Sequence, residues 1–328
     1  MSRPKNSGGR RSPSAPRRQP ADTGDNFLRI PFTKMHGLGN DFVVLDMISN
    51  PVQLSTAQIR SLGDRHRGIG FDQLLVIDAP RRPDADFHYR IYNADGSEVE
   101  HCGNGARCFA RFVLDRGLIA RGPIRVQTQN RLLALHTWGE NLVSVDMGEP
   151  DFDPATLPFE AELANEYQLS VNTPDNNHAP NTATTTATTT ATFFAASMGN
   201  PHIVLITDNC DTAPVDSLGA LLCTHPAFPR GVNVGFMQII DRRTIRLRVH
   251  ERGTGETEAC GTGACAAVAC GIRAGLLDED VTVQLKGGDL QVSWQGPGQP
   301  VIMTGPAETV YEGTITLARE AETGAPNN

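Results

Sequence analysis

Glu98-Val99-Glu100-His101-Cys102-Gly103-Asn104-Gly105-Ala106 is answered later in the chain by Glu256-Thr257-Glu258-Ala259-Cys260-Gly261-Thr262-Gly263-Ala264. Both have the form E-x-E-x-C-G-x-G-A. The two cysteines stand 158 residues apart (260 − 102). A fixed period outranks other features in a first reading, and this one reaches beyond the two blocks. Gly39-Asn40-Asp41-Phe42 is matched by Gly199-Asn200-Pro201-His202, Gln73 by Asn233, and Arg90-Ile91-Tyr92-Asn93 by Arg248-Val249-His250-Glu251. Four blocks in one order at nearly one offset indicate an internal duplication, with one cysteine offered by each half.

Each block follows a strand-like apolar run, Phe87 to Tyr92 or Ile245 to Val249, and leads into an apolar or small-residue helix. Glycines at such an entry let the backbone bend and let a ligand approach it closely. The first N–H groups of a helix lack internal partners and suit an anion such as a carboxylate. A cysteine there feels the positive end of the helix dipole, which favours thiolate over a thiol of ordinary pKa about 8.5. One such block can be a small buried residue beside a glycine turn. Two equivalent blocks facing one cavity suit different chemistry, in which a proton leaves one face of a carbon and another is returned to the opposite face. That is a two-base racemase or epimerase site, with one sulfur as thiolate and the other as thiol.

Lys34-Met35-His36-Gly37-Leu38-Gly39-Asn40-Asp41-Phe42, Gly70-Phe71-Asp72-Gln73, Asn93-Ala94-Asp95-Gly96-Ser97 and Cys102-Gly103-Asn104-Gly105-Ala106-Arg107-Cys108 resemble the diaminopimelate epimerase family. So do Gly199-Asn200-Pro201-His202, Asn233-Val234-Gly235-Phe236, Glu251-Arg252-Gly253 and Ala259-Cys260-Gly261-Thr262-Gly263-Ala264-Cys265. The resemblance runs from about Phe32 to Leu317, broken by one insertion. It implies interconversion of LL-2,6-diaminopimelate and its meso isomer, in lysine and cell-wall precursor biosynthesis, with neither cofactor nor metal. It implies Cys260 as proton acceptor and Cys102 as donor in the LL-to-meso direction. Gly103-Asn104 and Gly261-Thr262 would hold the reacting carboxylate, and His202 and Glu251 would tune the thiols. Asn40, Gln73, Asn93, Asn200, Asn233, Glu251 and Arg252 would hold the substrate, and Tyr311 would sit in a homodimer contact. The implied fold is α/β (α+β): two pseudo-equivalent domains, each a mixed, mostly antiparallel sheet curled around a central helix.

The remaining composition is consistent with a small-molecule enzyme. A net charge of −8 gives no reason to expect nucleic acid as the main partner, and no apolar run approaches the roughly 18 residues that span a bilayer. Seven cysteines, an odd number, in a chain without a secretory apolar segment suggest a reducing cytoplasm. The Cys102/Cys108 and Cys260/Cys265 spacings are looser than the pairs that hold structural zinc; Cys108, Cys265 and Cys270 read as buried small residues on helices. G-x-G-x-x-G and G-x-x-x-x-G-K-[ST] are absent from both cysteine blocks. Pyridoxal phosphate needs a lysine, and of Lys5, Lys34 and Lys286 the last reads as a turn residue between strands.

Residues 1–28, with five arginines and no acid before Pro20, read as a disordered basic tail, and 321–328 as a disordered C-terminus. The first half is expected over 29–147 with a returning strand at 306–320, the second over 148–305. Residues 172–196, rich in Thr-Ala-Thr repeats, read as a mobile surface loop because no apolar alternation is evident. Two alternatives remain open on the residues alone: a proline racemase-like isomerase acting on another amino acid, and a thiol redox or binding module in which Cys102 and Cys260 pair.

Overall fold

A computed structural model of the chain describes residues 27–99, 102–120, 122–129, 132–139, 141–174 and 186–318. The basic segment before Phe27 and the last ten residues lie outside that description, as do 175–185 of the Thr-rich insertion.

The first half runs β1 (Phe27–Gly37), β2 (Asn40–Asp46), α1 (Thr56–Gly63), β3 (Gln73–Asp78), β4 (Phe87–Asn93), β5 (Glu98–Val99), α2 (Gly103–Asp115), β6 (Ile124–Gln127), β7 (Leu132–Trp138) and β8 (Leu142–Asp146). Leaving the short 3₁₀ turns aside, the second runs β9 (Tyr167–Pro174), β10 (Thr186–Ser197), β11 (Pro201–Ile206), α3 (Ser217–Cys223), β12 (Asn233–Asp241), β13 (Thr244–Glu251), β14 (Gly255–Glu256), α4 (Gly261–Arg273), β15 (Asp280–Leu285), β16 (Gly288–Ser293) and β17 (Ile302–Pro306), and β18 (Glu308–Ala318) closes the chain. The pairings repeat strand for strand. β1–β2 is antiparallel, β2–β3 parallel, β3–β4 antiparallel and β4–β6 parallel. Likewise β10–β11 is antiparallel, β11–β12 parallel, β12–β13 antiparallel and β13–β15 parallel. Even the register is kept, since Phe42 pairs with Gln73 and His202 with Asn233. The halves join through antiparallel β8 and β17, and β18 returns to pair with β1.

The two central helices explain the sheet curvature around them. In α4, GTGACAAVACGIR, ten of thirteen residues are buried; α2 buries ten as well. A helix apolar on nearly every side is one enclosed on nearly every side. Small Ala, Cys and Gly side chains let strands approach α4 from several directions, and Cys108, Cys265 and Cys270 are among these buried residues, as expected. Both helices stop alike: Gly117 and Gly275 take positive φ one residue past the cap, where a Cβ would be strained. One core runs continuously through both halves, from Met35 and Phe109 to Val268 and Met303. Two satellite cores lie outside the sheets, one involving α1 and the other α3.

Two expectations need correction. The tail does not extend to residue 28, because Phe27 and Leu28 already pair with Ala318 and Leu317. The Thr-rich insertion is not a surface loop throughout, since Thr186–Ser197 forms strand β10, paired over eight residues with β9. An alternation is present at its C-terminal end: Ala191, Phe193 and Ala195 are buried, and Phe193 lies among Tyr167, Phe159 and Phe228. β-Branched threonine favours the pleated backbone that carries these side chains inward.

Candidate active site

Cys102 and Cys260 are the N-cap residues of α2 and α4, both with extended backbone. The first helical bonds run from Ala106 N–H to the Cys102 carbonyl and from Ala264 N–H to the Cys260 carbonyl. The N–H groups of Gly103 to Gly105 and Gly261 to Gly263 therefore precede each helical ladder. Both sulfurs, together with Gly103, Asn104, Gly261 and Thr262, line one cavity of about 1470 Å³ between the halves. Asn104 spans the junction: its Nδ2 donates to the Ala259 carbonyl at 3.1 Å and to Asn40 Oδ1 at 3.3 Å.

The same cavity is lined by Asn40, Gln73, Asn93, Asn200, Glu251 and Arg252. These are strand-end residues, and the parallel β2–β3 and β11–β12 pairs with antiparallel β4 and β13 bring them to one rim. Gln73 Nε2 donates to Asn93 Oδ1 at 3.1 Å, and Asn200 Nδ2 to Thr262 Oγ1 at 3.4 Å. His202 and Asn233 do not line the cavity. His202, 1% exposed, lies behind it with Nε2 3.1 Å from Asn200 Oδ1 and 3.4 Å from Asn233 Nδ2. Burial, reinforced by the charge of Arg252, pushes the His202 imidazole down to about 3, so it is neutral near pH 7. Asn233 Oδ1 accepts the Arg252 backbone N–H at 2.9 Å, and the Arg252 guanidinium reaches the Arg230 carbonyl.

The thiols depart from the simple helix-dipole expectation. Burial is the largest influence at both and favours the neutral form. Cys102 is pushed up to about 11, with the Gly105 N–H, 3.4 Å from its sulfur, acting in the opposite direction. Cys260 is pushed well above the ordinary thiol range by burial, and then by the charge of Glu251 and a hydrogen bond to it. Thr262 Oγ1, 3.6 Å from the Cys260 sulfur, opposes this. Desolvation thus outweighs the dipole at both sites, and Glu251 pushes both sulfurs the same way. Glu251 is itself fixed by Thr257, whose hydroxyl donates to Oε1 at 2.6 Å. In the duplicated frame Asn93 stands where Glu251 does, so the carboxylate is present on one side only and the site is chemically asymmetric.

Several lining residues are not singled out by the sequence. Glu258 lines the cavity and packs where a Cβ on Gly39 would otherwise lie, 3.1 Å away; it belongs to the repeated block, which is the available signal. Arg65, Asp72 and Asp41 form an ionic rim with Lys34. Asp72 accepts Asn40 Nδ2 at 2.8 Å, so the rim fixes a cavity side chain. Burial of Asp41 opposes its charge, but hydrogen bonds from Arg65 and Lys34 overcome it and hold the carboxyl well below the usual range. No spacing in the sequence announces that network. Lys286 is a turn residue, as expected, and ion-pairs with Glu256 at 2.8 Å. None of the seven cysteines is in a disulfide, and among the described residues no cluster of His, Cys, Asp or Glu has metal-holding geometry. No helix among the described residues is long and apolar enough to cross a membrane. Tyr311, on β18, is 46% exposed with its ring edge against Phe32.

The profile of the diaminopimelate epimerase family matches residues 32–152 and 194–310. The chain is 53% identical over 291 residues to the diaminopimelate epimerase of Ectopseudomonas mendocina, covering 88% of this chain and all of that protein. It is 52% identical, with the same coverage, to that of Azotobacter vinelandii. Among solved structures it is similar to a hydroxyproline epimerase from Agrobacterium vitis, with a TM-score of 0.59 at 15% identity over 89% of this chain and 93% of the other. A PhzF-family phenazine biosynthesis protein from Bacillus anthracis gives 0.60 at 14% identity, over 88% and 99% respectively. At such identities these two structures speak to the fold alone.

Proposed function

The chain belongs to the diaminopimelate epimerase family, and from that premise we propose that it interconverts LL- and meso-2,6-diaminopimelate by a two-base mechanism at Cys102 and Cys260. The observation that carries the mechanism is that both cysteines occupy the N-cap positions of helices whose first residues border one cavity. A substrate carboxylate held by those N–H groups places its α-carbon between the sulfurs, and the same donors stabilise the charge that builds on the carboxylate as the proton leaves. In the LL-to-meso direction Cys260 accepts the α-proton and Cys102 returns one to the opposite face. Glu251 raises the basicity of Cys260, which suits an acceptor. Neutral His202 orders Asn200 and Asn233 from behind. Asn40, Gln73, Asn93, Asn200, Glu251 and Arg252 hold the distal amino-acid end, so that one centre is inverted, with Asn233 bracing the Arg252 backbone.

The reading extends to organisation. The chain divides into halves of about 27–147 with 306–318, and 148–305. A homodimer contacts through the face carrying Tyr311, and the enzyme works in a reducing cytoplasm that keeps both thiols free.

The test is proton NMR of LL-diaminopimelate with reduced protein in D₂O and no added cofactor. Deuterium entering the α position together with meso product is the expected result, lost in both Cys102→Ala and Cys260→Ala. Exchange with proline or 4-hydroxyproline but not diaminopimelate would replace the substrate. An active single mutant would overturn the two-base mechanism, and no exchange with any of them would favour a thiol redox or binding module.

A further inference from the structure

Arg107 is the one arginine with no solvent exposure in the core of the described structure, and its surroundings do not neutralise it. Nε donates to the Pro306 carbonyl at 3.1 Å, Nη1 lies 3.7 Å from Met303 Sδ, and Nη2 has no partner. The charged or ionisable groups it feels are thiols, Cys108, Cys102 and Cys265, and no carboxylate is among them. A guanidinium does not deprotonate in proteins, and a buried charge without a partner is strongly unfavourable. Two glycines make room for it: a Cβ on Gly37 would lie 3.1 Å from Nη2, and one on Gly305 would lie 3.2 Å from Nε.

Its position in the helix is informative. Long side chains on a helix lean toward the N-terminus. The Gly37 position that touches Nη2 also lies 3.4 Å from the Asn104 carbonyl, so the guanidinium is beside the first turn of α2. Met303, which Nη1 touches, sits directly beneath both cysteine blocks: a Cβ on Gly103 would meet its Cε at 2.8 Å, and one on Gly261 its Sδ at 3.1 Å. The charge therefore lies below the junction of the two helix N-termini, where the two-base mechanism puts a carboxylate and a transient thiolate.

We propose that Arg107 is a positioning residue whose uncompensated guanidinium supports the negative charge on Cys102 as it gives up its proton, and on the anion held between α2 and α4. The inference rests on the two-base reading for its meaning but not for its test. Groups facing Cys102 are Glu251 from β13, which opposes ionisation, Tyr89 from β4, and Cys108 and Arg107 from α2. Arg107 is the cation that offsets Glu251 there, whereas burial and Glu251 dominate at Cys260.

The experiment is the pH dependence of iodoacetamide alkylation in the full chain, with Cys102 and Cys260 followed separately by peptide mass mapping. Arg107→Met should raise the midpoint for Cys102 by about one pH unit, slowing its alkylation roughly tenfold below that midpoint, with Cys260 little changed. Arg107→Lys, which keeps the charge, should stay near the parent. Arg107→Gln keeps a donor for the Pro306 carbonyl and carries the measurement if Arg107→Met does not fold. A Cys102 profile that overlays the parent in the neutral variant, with only thermal stability lowered, would reduce Arg107 to a clamp between α2 and β17 and overturn the proposal. If the substrate assignment is wrong, deuterium exchange fails in the unaltered protein while this titration still gives its answer.

Discussion

Glu251→Gln isolates the charge that distinguishes the two halves. The substitution keeps shape and keeps an oxygen for Thr257, which donates to Oε1 at 2.6 Å, and it removes a negative charge that raises both thiols. The sign is therefore downward for both sulfurs, and larger for Cys260, which also loses a charged hydrogen-bond acceptor. A neighbouring charge within about 4–6 Å shifts an ionisation by roughly 1–3 pH units; exposure of the cavity to water reduces this. A shift of at least about one pH unit, or about 1.4 kcal/mol, is expected at Cys260. Because the reaction needs one sulfur ionised and the other protonated, its rate against pH should be bell-shaped, with limbs that belong to the coupled pair. Both limbs should move to lower pH, and the maximum should fall because a less basic Cys260 is a poorer acceptor. The assay is initial α-proton exchange from LL-diaminopimelate between about pH 7 and 12, a range that brackets the raised thiols, with thiolate absorbance at 240 nm measured in parallel. Limbs that stay in place, or move to higher pH, would refute the electrostatic role given to Glu251.

Two further outcomes follow from packing and titration. Phe193→Ala empties a site that is 1% exposed among Phe159, Tyr167 and Phe228 and should cost about 3–5 kcal/mol in urea denaturation; a change under about 0.5 kcal/mol would mean that β10 is not packed as described. Stability should also decline with alkali: Cys102, Cys108 and Cys270 are raised from 9.0 to about 11, 12 and 12 by burial. Their protonated forms are kept in the folded chain while the unfolded chain ionises, so this stability is present below pH 9 and lost as pH rises toward 11–12, by up to about 1.4 kcal/mol per pH unit for each thiol. Denaturation midpoints at pH 8, 9 and 10 measure it, and a flat series would contradict it.

The duplication is written in the chain, and with it the pairing of Cys102 with Cys260, of Asn40 with Asn200 and of Gln73 with Asn233. Residue identity at fixed spacing is a local property, and strand ends at equal offsets must take equal places if the halves fold alike. β10 escapes such a reading because its buried alternation begins only at Ala191, after a threonine run with no apolar partner in view; β9, which covers it, lies across the insertion.

The ionisation of the thiols belongs to the tertiary structure. A helix N-terminus can be read from Cys-Gly-x-Gly, but burial depends on what closes over it, and here desolvation exceeds the dipole. The ionic rim of Arg65, Asp41 and Asp72 and the buried guanidinium of Arg107 are equally silent in the sequence. A charge acquires its energy from neighbours far away along the chain, and Gly305 and Met303 meet Arg107 only once β17 is laid under α2.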